Sequence, residues 1–190
     1  YVLICTVSFG QRFVHPGMLH TTSDLEFMKA KILAGEKPWK EAWSQLKSSE
    51  IASLNYKPTP FKIVDNGPYN KPDNGGKEFV RDGAAAYTMA LQWYVEEDKA
   101  YAEKAIEIFN AWAQTLESVV NHNRQLKVGT AGIKDLNAAE IIKHTYKGWN
   151  AKDRKAFEDM VINIWYPVIK DWTPRYNGNW DAANGQTLMC

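Results

Sequence analysis

The chain has 190 residues, 45% of them apolar, and its 23 Lys and Arg against 22 Asp and Glu leave a formal charge of +1. That apolar content can bury one sizeable core and excludes a disordered chain. The balanced charge excludes a global field that would recruit nucleic acid or an acidic membrane surface, so any basic site must be local.

Val2 to Val7 form a short uncharged apolar run, followed by Ser8, Phe9, Gly10 and Gln11. Small residues at Ser8 and Gly10 fit a signal cleavage pattern, and the run falls short of the roughly 20 residues that a membrane span needs. Residues 1–10 are therefore expected to be the remnant of an export signal, with an N-terminal buried strand as the alternative, and residues 11–190 one domain or part of a larger one. Ile4 before Cys5 argues against lipid attachment. Once the signal is removed only Cys190 remains, which leaves neither a disulfide nor a thiol metal site.

Ser23, Asp24, Leu25 and Glu26 have capping-box spacing, and Leu25, Met28 and Ile32 follow at helical intervals up to Gly35. Pro38 sits where the first turn of a second helix tolerates it, with Trp39, Trp43 and Leu46 on one face. Residues 55–77 carry Pro58, Pro60, Pro68 and Pro72 among several Gly and Asn, which predicts a long surface loop. Helical periodicity then predicts helices over about 79–96 and 99–119, with Asp98 as a cap and Tyr101, Ala105, Ile108, Trp112 and Leu116 sharing a face. A polar loop is expected over 121–134, a shorter helix over 136–146, and a further helix from Asn150 that carries Phe157, Val161, Ile164 and Trp165 until Pro167 disrupts it. The last helix opens near Trp180 and meets no Gly, Asn or Pro stop before Cys190, so the chain reads as a fragment. Almost no run alternates with period two, so no sheet is expected. The predicted fold is all-α, a series of antiparallel helix hairpins. Unequal loops favour a closed α/α toroid over an open helical-repeat array.

The turn of Tyr176, Asn177, Gly178, Asn179, Trp180 and Asp181 is the most informative stretch. A helix start offers unpaired N–H groups and the positive end of the peptide dipoles, so it stabilises an anion. An Asn amide adds a directed donor, and Trp180 a flat face for a sugar ring. An Asn cap with Trp180 in the core is the plainer alternative.

Five segments, in order, carry a family resemblance: residues 13–20 (Phe13, Val14, His15, Pro16, Gly17, Met18, Leu19, His20), Gly35 to Trp39, residues 101–106 with Ala111, Trp112 and Ala113, residues 137–142 (Asn137, Ala138, Ala139, Glu140, Ile141, Ile142), and Asn177 to Asp181. Together they resemble the alginate lyase-like family of bacterial polysaccharide lyases. The resemblance implies a toroid of helical hairpins, of which this chain covers the N-terminal part, and export to the periplasm or beyond. It also implies β-elimination on an anionic uronic-acid polysaccharide of the alginate or glucuronan type. Elimination begins by removing the C5 proton, which requires donors on the neighbouring carboxylate that strengthen as an enolate forms. The resemblance assigns that role to Asn179. Asn177, Trp180 and Tyr176 are expected to bind substrate beside it. The base and acid of related lyases, a His and a Tyr, are expected beyond Cys190, so this stretch alone is expected to be inactive. Some relatives read Asn-Asn-His before the Trp, whereas here no His stands between Asn177 and Trp180.

Arg81 is a candidate clamp for a uronate carboxylate, with local ion pairing as the alternative. His122, in a polar loop, is a further candidate substrate contact. His15 and His20 flank Pro16 and Gly17 with no acidic residue or Cys at ligand spacing, which predicts a turn-stabilising role and no metal. Glu140 is equally a buried paired carboxylate or a subsite residue. Trp149 and Trp172, near helix ends, suit stacking better than the Trp residues at core spacing. No phosphate loop, nucleotide fingerprint or Ser-His-Asp signature is present, and no cofactor is expected. Two other functions compete: a helical-repeat protein-binding module, and a toroid glycoside hydrolase whose carboxylate pair would be Asp181 and Glu140.

Overall fold

The computed structural model describes residues 13–171 and 178–190. The expected export signal at 1–10 lies outside the described residues. Among the described residues eight α-helices carry the fold: α1 (Thr22–Leu33), α2 (Trp39–Lys47), α3 (Gly76–Glu96), α4 (Lys99–Ala113), α5 (Arg124–Thr145), α6 (Ala151–Met160), α7 (Tyr166–Ile169) and α8 (Asn179–Met189).

The expectation of an all-α chain is corrected by a small sheet of order β2-β1-β3, formed by β1 (Ile63–Asn66), β2 (Asp73–Asn74) and β3 (Ser118–Val120). β1 pairs antiparallel with β2, Asp65 opposite Asn74, and parallel with β3, Val64 opposite Val119. The 55–77 segment is thus partly sheet rather than surface loop, and Val64 and Asn66 are fully buried. Val119 belongs to β3, because α4 ends at Ala113.

Three helices run parallel. The start of α3 lies by α5 at Gly76 and Lys127, its middle at Gly83 and Asp135, and its end at Trp93 and Thr145. α8 follows α5 in the same direction, Asn184 against Gly129, Thr187 against Gly132, and Asn137 donating to the Cys190 thiol. α4 returns antiparallel to α3, bringing Trp112 back to Phe79 and Asp82, and α6 and α7 return beside α5. The layout is an inner row of α3, α5 and α8 with connecting helices outside it.

Close approach within that row depends on missing side chains. A Cβ on Gly132 would stand 2.5 Å from the Thr187 methyl, and the Thr187 hydroxyl donates to the Gly129 carbonyl at 2.8 Å. Gly132→Ala is expected to destabilise the protein by about 1–3 kcal/mol through overpacking, read as a lower denaturant midpoint. The loop expected over 121–134 is instead helix from Arg124 onward, packed against α8 through these glycines.

The aromatic core joins the layers. Trp165, 1% exposed, meets Phe79 and Phe157 edge-on. Trp149 is buried against Phe109 and Phe157, which corrects its reading as a stacking platform. Pro167 does not end the helix. A π-helical stretch, Val161–Trp165, widens the turn, and Pro167 enters in the first turn of α7, where its missing N–H is tolerated. α1 is capped by Thr21 rather than Ser23, with Thr21 and Asp24 forming a reciprocal capping box and Glu26 accepting from the Tyr94 hydroxyl.

Two buried carboxylates lie between α3 and its neighbours. Asp82 accepts from the Tyr56 hydroxyl at 2.5 Å, Thr59 N at 2.8 Å and Trp112 Nε1 at 2.7 Å. Asp135, on the facing side of Gly83, is pushed well above the ordinary carboxylate range, first by burial and then by the charge of Asp82. A carboxyl held neutral in the fold contributes its full stability below its unfolded pKa and loses it as pH rises through its folded value. Asp135→Asn is therefore expected to raise Tm relative to wild type more at pH 8 than at pH 4. An equal shift at both pH values would contradict the assignment.

Candidate functional site

The parallel inner row places the N-termini of α3, α5 and α8 at one end of the molecule, and none of the three carries a side-chain cap. Gly75 precedes α3 and Gly178 precedes α8. Asn123 precedes α5 but turns its amide away, donating to Asn66 Oδ1 at 2.8 Å and the Gly67 carbonyl at 2.6 Å. By contrast, Thr21, Asp98 and Asn150 cap α1, α4 and α6. The inner row thus directs uncapped amides and the positive ends of three helix dipoles to one side, where an anion is favoured. Arg124 and Lys127, in the first turn of α5, add positive charge there, Lys127 reaching the start of α3.

The small sheet aims this end. Asn66 in β1 accepts from Asn123 N at 2.9 Å through its carbonyl, and its amide donates to Asp73 at 2.8 Å. Asn121 takes a left-handed conformation at φ +74, which Asn tolerates better than most residues. Its side chain donates to Asp65 at 2.9 Å and accepts from His122 N at 2.7 Å, while Arg124 donates to its carbonyl at 3.0 Å. This clamp projects the His122 ring, which is exposed, edge-on to Trp180, with ring centroids 5.5 Å apart.

Asn179 opens α8 and is exposed, rather than turned into the apolar interior. Trp180 is half-buried, and Asp181 accepts from Gly178 N at 3.1 Å, the acidic half of a capping box. A cavity of about 390 Å³, lined by Val119, Arg124, Gln125, Pro167, Val168 and Asp171, opens at the same end. The fold thus brings His122 to Trp180, the residue that follows Asn179 in the first turn of α8. Tyr176 and Asn177, with Arg175 and Trp172, lie outside the described residues. Arg81 is not brought to this group: it pairs with Glu50 at 3.1 Å and lies over the Tyr56 ring. Asn121, Asn123 and Asn66, which hold His122 in place, escaped the sequence reading, because their partners lie over 50 residues away.

Glu140 and Asp181 stand far apart. Asn184, one turn beyond Asp181, lies level with Gly129, so Glu140 is about 20 Å further along the parallel helices at 1.5 Å per residue. Hydrolysis of a glycosidic bond needs two carboxylates within about 10 Å. The pair that a hydrolase would have used is therefore ruled out.

At the other end of α5, two of the segments that carried the resemblance meet. The turn over 13–20 docks through Leu19 N on Asn137 and Gly17 N on Glu140, both at 3.1 Å, with His15 Nδ1 in short contact with the same carboxylate. His20 contacts the Tyr87 hydroxyl, whose pKa burial pushes up to about 12. Glu140 is the acidic partner that His15 lacked in the local sequence. His144, one turn on, faces the other oxygen of Glu140 at 3.5 Å, and burial lowers its pKa more than the Glu140 charge raises it.

The sequence model of one protein family, described as Alginate lyase, matches residues 26–190. No curated protein and no solved structure matches the chain.

Proposed function

The chain belongs to the alginate lyase family, and we propose on that footing that it cleaves a uronic-acid polysaccharide of the alginate or glucuronan type by β-elimination. Family membership implies a lyase with a polysaccharide substrate. Alginate lyases typically work in the periplasm or outside the cell, and we assign this chain to the same compartments. Among the described residues no helix is long and apolar enough to cross a membrane. The parallel inner row with returning outer helices is read as part of an α/α toroid.

In this reading Asn179 holds the uronate carboxylate, Trp180 stacks on a pyranose ring, and His122 adds a contact from the facing turn. Tyr176 and Asn177 are assigned to substrate binding as well. Removal of the C5 proton moves its electron pair toward the carboxylate, and the C4–O bond then breaks to leave a C4–C5 double bond, with a proton supplied to the departing oxygen. The uncapped amides and the Asn179 side chain act on the charge that develops in the first step. One observation carries the reading: an exposed Asn179 opening α8 next to Trp180, whose ring meets His122, at the end where the inner helices α3, α5 and α8 start.

Calorimetric titration tests it. Oligouronates are expected to bind and their carboxyl-reduced counterparts to lose at least tenfold in affinity, with Trp180→Ala weakening the acidic ligand. Equal affinity for the charged and reduced oligomers would overturn the proposal.

A further inference from the structure

We propose that His15, Glu140 and His144 form a binding site for a zinc-class divalent metal ion that clasps the turn over residues 13–20 to the C-terminal half of α5. The donor atoms of the three side chains lie within 4.8 Å of one another. Two imidazoles and one carboxylate are a donor set that suits zinc and its neighbours, and three protein ligands leave one tetrahedral position for water.

The site is assembled from two directions. Glu140 and His144 stand one turn apart on α5, so both point from the same face of the helix. His15 comes from the docked turn, and its ring stacks on that of His144 with centroids 4.1 Å apart and planes 7° from parallel. Both rings turn a nitrogen to the same carboxylate, His15 to Oε1 and His144 to Oε2. Gly17 N donates to Oε1 at 3.1 Å, which fixes the carboxylate and leaves Oε2 directed at His144. This is the outer hydrogen bond that metal-ligating carboxylates characteristically accept.

Donors around tetrahedral zinc stand about 3.3 Å apart, given metal–ligand distances of about 2.0–2.1 Å. The widest pair therefore closes by up to about 1.5 Å while the short His15–Glu140 contact opens, both within reach of a tilt of the His15 ring. That side chain is 45% exposed, against 26% for His144 and 13% for Glu140, so the mobile ligand lies on the solvent side and an ion can enter there. Asn137, one turn before Glu140, holds Leu19 N and keeps the turn seated. The site lies at the opposite end of α5 from His122 and Trp180, so its expected effect is on stability.

The test is calorimetric titration of chelator-stripped protein with Zn²⁺, with Mg²⁺ and Ca²⁺ as hard-cation controls. One zinc ion per chain is expected to bind, with no response to either control. At about one hundred times Kd, zinc is expected to raise Tm by about 5–10 °C. His15→Ala, a change at an exposed side chain that leaves the helices intact, is expected to weaken zinc binding at least tenfold, His144→Ala likewise, and Cys190→Ser to leave it unchanged. Visible absorbance of the Co²⁺ form provides a readout of nitrogen and oxygen ligation in wild type that needs no variant. Absence of zinc binding in wild type, binding that persists in both His variants, or binding lost in Cys190→Ser would overturn the proposal.

Discussion

Replacing Asn179 with Ala is expected to lower kcat on a polyuronate by about 10²–10³-fold, the usual effect of losing one donor aimed at a developing oxyanion. Little change is expected in KM, because the bond strengthens mainly as the enolate forms rather than in the bound ground state. Stability should hold, since Asn179 is exposed at the first position of α8. Steady-state kinetics and a thermal melt on the same sample check both halves. A kcat within twofold of wild type would remove Asn179 from the chemistry. A collapsed melting curve would show instead that its role lies in holding α8.

The largest effect on stability is expected at Asp82. Its carboxylate gathers three donors, Tyr56 and Thr59 from the segment before β1 and Trp112 from the end of α4. Asp82→Ala leaves the Tyr56 and Trp112 donors buried and unsatisfied and frees Thr59 N, at an expected cost of about 3–5 kcal/mol and a fall in Tm of about 10 °C or more. Asp82→Asn keeps one acceptor oxygen and the side-chain shape, and should lose about half as much. Burial raises the Asp82 pKa more than its donors lower it, so the donors compete with desolvation rather than simply adding stability. Equal losses in the Ala and Asn variants would show that shape matters here and hydrogen bonding does not.

Helices with strong local signals were legible in the sequence. Asp98 caps α4 at the expected place, and Ile108 and Trp112 are buried on its expected inner face. What escaped depended on partners far along the chain. β1 and β2 have four and two residues, too few for an alternating pattern to register, and the strand that completes the sheet follows more than 50 positions later. The first turns of α5 read as a loop because Gly129, Thr130 and Gly132 disfavour helix locally. Packing against α8 requires that stretch to be narrow, and tertiary contact decides its state.

The candidate sites followed the same division. The start of the last helix near Trp180 was legible because capping chemistry is local, although its cap is Gly178 rather than an Asn. That His122 faces Trp180 was not, since a β-strand and a left-handed Asn set its direction. At the far end of α5 the spacing of Glu140 and His144 was open to inspection, but nothing local placed His15 beside them across 125 residues. Arg81 illustrates the converse: a side chain suited to a carboxylate clamp is already paired with Glu50.

Two quantities, followed together during digestion of alginate and of glucuronan by the protein, bear most directly on the central claim: ultraviolet absorbance from unsaturated uronate, and new reducing ends. β-Elimination predicts that the two rise in equal numbers from the first turnover, and that Asn179→Ala slows both together. Reducing ends that accumulate without unsaturation would mean hydrolysis, and would contradict the account.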